Sequence, residues 1–132
     1  MDFVSVRVIT GDISRLVGFY ERVTGTAATW FTEDFAEVGT SRATLAIGST
    51  RTVALFGEGS ARPAANQSVI IEFQVADVDQ LYQDGGDVLG AVVQPPTTMP
   101  WGNRSLLFRD PDGNLVNFFT PVTPEAIAKF AR

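Results

Sequence analysis

The side chains that most often carry enzyme chemistry are missing from this sequence. It contains neither histidine nor cysteine, so the commonest general base, the thiolate nucleophile and the usual zinc ligands are absent. A Ser-His-Asp triad and a disulfide bond are excluded for the same reason. A metal ion would have to be bound by carboxylate, carbonyl or amide oxygens.

Three polar residues lie within otherwise apolar, strand-like segments: Arg7, Glu72 and Asn117. Glu72 could act as a general acid or base if apolar surroundings raised its pKa. A single carboxylate without a positioned partner does not define a reaction, however. We therefore interpret Glu72 as the ionic partner of Arg7, and Asn117 as one adaptable donor and acceptor pair.

Aromatic residues in a short strand and in a loop are the second group of candidates. Trp30 and Phe35 lie in or next to a short aromatic strand, and Trp101 lies in a loop bounded by proline and glycine. These rings could stack on a planar ligand, or they could belong to the core, a dimer interface or a surface turn. Because adjacent strand residues point to opposite faces, only one of Trp30 and Phe31 should face a ligand.

Length and charge narrow the classes of function. The 132 residues suffice for one domain, and 15 acidic against 10 basic residues give a net charge of -5, which disfavours binding to nucleic acid. No apolar run approaches the roughly 18 residues of a membrane span. The first residues lack the basic and apolar regions of a signal peptide, so we expect a cytoplasmic protein without membrane association.

Apolar periodicity predicts the elements of the first half. A strand over 3–8 is followed by a helix that begins at an Asp12 cap and ends at Gly25. Further strands are predicted over 27–32, 35–38, 43–47 and 52–56. The last two flank 48–51, which is typical of a hairpin turn.

The second half repeats this order after a small, polar linker over 58–67. Asp77 caps a second helix, Asp112-Gly113 predicts a hairpin, and Thr123 caps a C-terminal helix over 123–132. Strands are predicted over 69–75, 88–93, 104–108 and 115–120. The helices match at an offset of 65 residues, and the strands before them at 67, which indicates an internal duplication.

Three segments of the chain resemble a known superfamily. They are Val4-Ser5-Val6-Arg7-Val8 with Phe19-Tyr20-Glu21, Phe73-Gln74-Val75-Ala76-Asp77, and the hairpin Phe108-Arg109-Asp110-Pro111-Asp112-Gly113-Asn114. Together they resemble the glyoxalase/bleomycin-resistance/extradiol-dioxygenase, or vicinal oxygen chelate, superfamily.

The resemblance implies an α+β fold of two βαβββ modules that form a cupped, mostly antiparallel sheet. It places module one at 1–57 and module two at 68–122 of a single domain spanning 1–132. Helices pack outside and a ligand cavity lies inside. The resemblance also implies a homodimer with modules paired across the interface, swapped or unswapped.

Metal-dependent members of this superfamily bind one divalent cation with four side chains. The corresponding positions fall on Phe3, Ala54, Ile70 and Asn117, none of which carries a charge. A hard cation needs several charged oxygen ligands. We therefore expect no metal, no cofactor and no catalytic residue.

The resemblance and the apolar cavity floor together predict a metal-free binding protein that sequesters an aromatic, antibiotic-like natural product. The predicted ligand-binding residues are Phe3, Arg7, Trp30, Phe35, Ala54, Phe56, Ile70, Glu72, Trp101 and Asn117. Two alternatives remain open at this point. One is a glyoxalase-like lyase or isomerase with unusual oxygen ligands or without a metal. The other is a dimeric module whose groove binds a peptide or a partner protein.

Overall fold

A computed structural model describes residues 1–131, which form two compact units, Met1–Asn66 and a second unit that begins at Gln67. Each unit contains one four-stranded mixed sheet and at least one α-helix, so the predicted α+β class is confirmed. The strands are β1 Ser5–Thr10, β2 Thr29–Thr32, β3 Phe35–Gly39, β4 Thr44–Ser49, β5 Ile70–Gln74, β6 Ala91–Thr98, β7 Asn103–Arg109 and β8 Leu115–Pro121. The α-helices are α1 Ile13–Thr24, α2 Val78–Gly85 and α3 Pro124–Phe130, and two 3₁₀ helices span Thr50–Leu55 and Gly86–Leu89.

The first sheet has the strand order β1-β4-β3-β2, with β1 parallel to β4 and the other pairs antiparallel. Helix α1 begins where the Asp12 carboxylate accepts a hydrogen bond from the Arg15 N–H, and it ends at Gly25 in the left-handed conformation. Both predicted caps are thereby confirmed. The helix contacts β3 and β4. It covers the face that carries Ala36 and Val38, because both side chains are fully buried.

The second sheet repeats this arrangement in the order β5-β8-β7-β6, again with its first strand parallel to its last. Asp77 caps α2, and Thr123 caps α3 by accepting from the Ala126 N–H. The predicted hairpin between β7 and β8 is confirmed. Its loop is built on the buried Asp110 carboxylate, which accepts from the N–H groups of Asp112 and Asn114 and from the Asn114 side chain.

The prediction of a strand over 52–56 and a hairpin turn over 48–51 was wrong. Strand β4 continues to Ser49, and residues 50–55 form a 3₁₀ helix. The Ser49 hydroxyl accepts from the Arg51 N–H, and the Thr52 hydroxyl donates to the Ser49 carbonyl. These local side-chain bonds to the backbone hold a turn where the apolar pattern alone favoured extension.

The predicted strand over 88–93 was wrong at both ends. Residues 86–89 form a 3₁₀ helix, and β6 runs through Pro95 and Pro96 to Thr98. Proline is tolerated here because β6 is an edge strand, and its register against β7 shifts on both sides of Gln94.

The internal repeat has a single offset, whereas the sequence suggested two. Ser5 and Ile70 begin the first strands of their sheets, and they are separated by the same 65 residues as the caps Asp12 and Asp77. Phe3 precedes β1 and is therefore the counterpart of Ser68, not of Ile70.

Among residues 1–131, no helix is both long and apolar enough to cross a bilayer. The C-terminal helix ends at Phe130. Ala131 is extended, so the predicted helix is too long by at least this residue, and residue 132 lies outside the described residues.

Candidate functional site

The face of the first sheet opposite α1 brings several of the predicted binding residues together. Pairing across β1, β4 and β3 places Arg7, Ala46 and Glu37 in one row on this face. Phe35 lies two residues before Glu37 on β3, opposite Gly48, and therefore on the same face. We call this surface the Arg7 face. Its strands are fixed from behind by the buried side chains under α1, so the exposed residues stand on a rigid support.

Two aromatic rings contact the Arg7 guanidinium on this face. Its central carbon lies over the Phe35 ring at 4.4 Å from the centroid and over the Phe56 ring at 5.1 Å. The Phe31 ring packs on Phe35 with 5.8 Å between centroids. We call these four residues, Arg7, Phe31, Phe35 and Phe56, the aromatic–arginine cluster. Both cation–π distances are short enough for attraction between the guanidinium and the ring faces.

Trp30 and Phe31 point to opposite faces, as their adjacency predicts. Trp30 is paired with Ala36, which places it on the α1 side of the sheet. Phe31 points to the Arg7 face and reaches Phe35. Sequence reasoning left this choice open, because the register shift between Trp30 and Thr32 appears only when β2 is paired with β3.

Phe56 reaches the cluster because the 3₁₀ helix before it is anchored to the β2–β3 turn. The Asp34 carboxylate accepts from the Ser49 hydroxyl at 2.7 Å and from the Arg51 Nε at 2.9 Å. The Ser49 hydroxyl bond, followed by the Arg51 bond, lowers the pKa of Asp34, and the same ion pair raises the pKa of Arg51. These bonds hold the start of the 3₁₀ helix Thr50–Leu55 against the β2–β3 turn, and Phe56 follows directly after this helix.

Glu72 and Asn117 are neighbours on the face of the second sheet opposite α2, which we call the Asn117 face. The Asn117 Nδ2 donates to the Glu72 carboxylate at 2.8 Å. A carboxylate only accepts, so this bond fixes the amide with its Oδ1 pointing away from Glu72. That Oδ1 is buried without a hydrogen-bond partner among the described residues.

Two further polar residues on the Asn117 face were missed by sequence reasoning. Asn103, Ser105 and Leu107 are every second residue of β7 and therefore share one face of the sheet. Leu107 is paired with Asn117, so this is the Asn117 face. The Ser105 hydroxyl and the Asn103 Oδ1 are likewise buried without a partner in the described part of the chain. The Asn-Arg-Ser segment looks like an ordinary polar strand start, so only the register against β8 identifies these positions.

The remaining predicted site residues are not brought into either group. Phe3 precedes β1 and is 84% exposed, and Ala54 lies exposed on the 3₁₀ helix instead of on a strand. Ile70 begins β5 and is partly exposed. Trp101 occupies the tip of the β6–β7 turn, closed by the Met99 N–H donating to the Asn103 carbonyl, and its side chain is 68% exposed.

The structure changes two of the four positions that correspond to metal ligands in the superfamily. The single repeat offset moves the first from Phe3 to Ser5, and Ala46 replaces Ala54 because Ala46 neighbours Arg7 as Asn117 neighbours Glu72. The corrected set is Ser5, Ala46, Ile70 and Asn117. One hydroxyl and one amide do not fit a divalent cation. No cluster of three metal-binding acidic side chains occurs within residues 1–131.

Solved structures of similar fold cover nearly the whole chain. A protein of unknown function from Agrobacterium tumefaciens is 25% identical, with a TM-score of 0.78 over 92% of this chain and 95% of that one. A glyoxalase/bleomycin resistance protein/dioxygenase family enzyme from Burkholderia phytofirmans reaches a TM-score of 0.81 at 17% identity, over 92% of this chain and 100% of that one. At 17% identity, the similarity to the Burkholderia phytofirmans enzyme concerns the fold and carries no information about function.

Sequence comparison agrees with the fold. The Bacillus subtilis protein YraH is 26% identical over 125 residues, which cover 90% of this chain and 98% of YraH. The profile of the Glyoxalase/Bleomycin resistance protein/Dioxygenase superfamily matches residues 2–118. With the two repeated strand-helix-strand units and the Asp110 hairpin already described, this match shows that the chain belongs to the Glyoxalase/Bleomycin resistance protein/Dioxygenase superfamily.

Proposed function

We propose that this protein binds a small, planar aromatic molecule of the antibiotic-like natural-product class through the aromatic–arginine cluster. The observation that carries the proposal is the arrangement of Arg7 over Phe35 and Phe56, with Phe31 packed beside them. These groups lie on a supported sheet face and not within the hydrophobic core. Binding alone, without a covalent step, would then give sequestration or hand-off of the ligand.

Exposure of the rings supports a binding role over a packing role. Phe56 is 69% exposed and Phe31 is 59% exposed, so most of each ring is available to a partner. Stacking on a planar ligand contributes about 0.5–1.5 kcal/mol per ring pair beyond the buried area. Sequestration is favoured over catalysis because the positions that correspond to the metal ligands carry no charged side chain.

The proposal predicts that planar aromatic compounds bind and that Phe56 contributes to their affinity. We would titrate the protein with bleomycin, mitomycin C and phenazine-1-carboxylate, which are a cationic, a neutral and an anionic compound, in an isothermal calorimeter. For a compound that binds, Phe56→Ala should weaken affinity about tenfold, because a ring that stacks and buries area is lost. Circular dichroism should show an unchanged fold, since Phe56 is mostly exposed.

Leu55→Ala is the matched control. Leu55 is exposed on the same 3₁₀ helix and lies outside the cluster, so its truncation should leave affinity unchanged. Equal effects of the two substitutions, or no binding by any of the three compounds, would contradict the proposal. Turnover of a bound compound by the purified protein would favour the alternative of a lyase or isomerase.

A further inference from the structure

We propose that Arg7 recognises an anionic group, so that the ligand of the aromatic–arginine cluster is an aromatic carboxylate. This inference rests on the proposed function, because it assumes that an aromatic ligand occupies the cluster. It goes further by naming the charge and the chemical group that the ligand must carry.

Arg7 has no anionic partner among the described residues, whereas two other arginines do. Arg51 pairs with Asp34 at 2.9 Å, and Arg104 pairs with Asp79 at 2.8 Å. Within residues 1–131, the Arg7 guanidinium makes cation–π contacts with the Phe35 and Phe56 rings and no ion pair. What distinguishes Arg7 is that two aromatic rings hold its guanidinium while no carboxylate in the part of the chain that the structure describes neutralises it.

The surroundings of Arg7 leave its hydrogen-bonding capacity unused. Phenylalanine rings attract the cation but accept no conventional hydrogen bond. The neighbour across β4 is Ala46, whose side chain has no polar atom, and Glu37 in the same row is two strands away. Two strand spacings separate their backbones by about 10 Å, and no ion pair joins the two side chains in the described part of the chain.

Guanidinium chemistry selects the ligand class. Five N–H donors in a rigid plane match the two oxygens of a carboxylate, and guanidinium is weakly hydrated compared with ammonium. The rings already hold the side chain, so less conformational freedom is lost when the anion binds. A carboxylate attached to an aromatic ring would engage Arg7 while its ring stacks on Phe56 or Phe31.

Three probes with one ring system and different charges test this inference. They are 2-naphthoate, 2-naphthalenemethanol and 2-naphthylmethylammonium, each titrated into the full chain by calorimetry at about 0.02 M and about 0.15 M salt. We expect naphthoate to bind about tenfold more tightly than the alcohol at low salt, with a smaller preference at the higher salt. The ammonium probe should bind most weakly.

Variants at Arg7 separate charge recognition from stacking. Arg7→Met should abolish the preference for naphthoate while the alcohol still binds, and Arg7→Lys should retain part of the preference because it keeps the charge without the planar fork. Arg62→Met is the control: it removes one positive charge from an exposed residue of the same unit. It should leave the preference unchanged.

The outcomes distinguish the two proposals. Equal affinity of the wild type for naphthoate and the alcohol would overturn the carboxylate inference and leave aromatic binding standing, as would an unchanged preference in Arg7→Met. Absence of binding by every probe would overturn both proposals.

Discussion

Buried polar side chains in this protein differ sharply in how well they are hydrogen-bonded. Ser49 and Ser105 are both buried, at 7% and 3% exposure. The Ser49 hydroxyl donates to Asp34 and accepts from the Arg51 N–H. The Ser105 hydroxyl has no partner among the described residues. A buried hydroxyl that has lost water without gaining a partner reduces stability.

Replacing Ser105 with alanine is therefore expected to stabilise the protein. The free energy of unfolding in urea should rise by about 1 kcal/mol, because the desolvated hydroxyl is removed while the Cβ is kept. Ser49→Ala, the matched control, should lower it by about 1 kcal/mol, since two hydrogen bonds are lost. A destabilised Ser105→Ala variant would show that the hydroxyl is satisfied in solution, for example by a bound water.

The lowered pKa of Asp34 should make the free energy of unfolding decrease at acid pH. Its pKa is lowered in the folded state from an ordinary value of 3.8, first by the Ser49 hydroxyl bond and then by the Arg51 bond. The stability that it contributes is fully present above pH 3.8 and is lost as pH falls through the lowered pKa. We expect the difference in unfolding free energy between wild type and Asp34→Asn to be constant near neutral pH and to shrink in that acidic range. A difference that does not change with pH would contradict this account.

At the scale of elements, the short helix α3 is seated against the β6–β7 turn through a close approach at Gly102. This residue has a φ of +95°, and a Cβ built on it would lie 2.1 Å from the Thr123 Oγ1 and 3.0 Å from the Ala126 Cβ. The Gly102 carbonyl also accepts from the Val122 and Thr123 N–H groups. Phe130 then packs edge-on against Phe119 of β8. Glycine is required here both for its backbone conformation and for space.

Gly102→Ala should consequently destabilise the protein more than Gly113→Ala. Gly113 also has a positive φ, of +83°, but its added Cβ would meet nothing within 4 Å. We expect about 1 kcal/mol of strain at Gly113 and at least about 2 kcal/mol at Gly102, where α3 must also shift. Thermal and urea unfolding of the two variants measure the difference. Equal losses would show that α3 is not held against the turn as the structure indicates.

At the scale of the whole molecule, the resemblance predicts a homodimer, and the oligomeric state in solution tests that expectation. Both units carry large apolar side chains at the surface, including Val4, Val93 and Trp101. Strand β6 also lies at a sheet edge with Val93 half exposed. An unpaired sheet edge is a template for pairing with another chain.

Light scattering coupled to size exclusion should give twice the chain mass of 14.2 kDa. The dimer should persist on dilution to the low micromolar range if its interface is of standard size. A mass of one chain at every concentration would contradict the prediction. The proposed aromatic site lies within the first unit, so its binding properties can be measured in either case.

The sequence by itself determined the features that depend on a few neighbouring residues. The caps at Asp12, Asp77 and Thr123 and the left-handed Gly25 are set by side-chain bonds or backbone freedom within one turn. The loop on Asp110 is likewise local. The α+β class was implied by the resemblance of three segments to a known superfamily, and the absence of histidine and cysteine removed whole classes of chemistry before any fold was known.

Only the tertiary structure decided which side chains share a surface. A shift of one residue in strand register moves a side chain to the other face, so the alternation of Trp30 and Phe31 left open which of them reaches Phe35. The turn over 50–55 depended on hydroxyl bonds that apolar patterns do not encode, and it carried Phe56 over Arg7. Register between β7 and β8 likewise placed Ser105 beside the Asn117 amide. Contacts between residues distant in the chain fix these positions, and a single sequence does not display them.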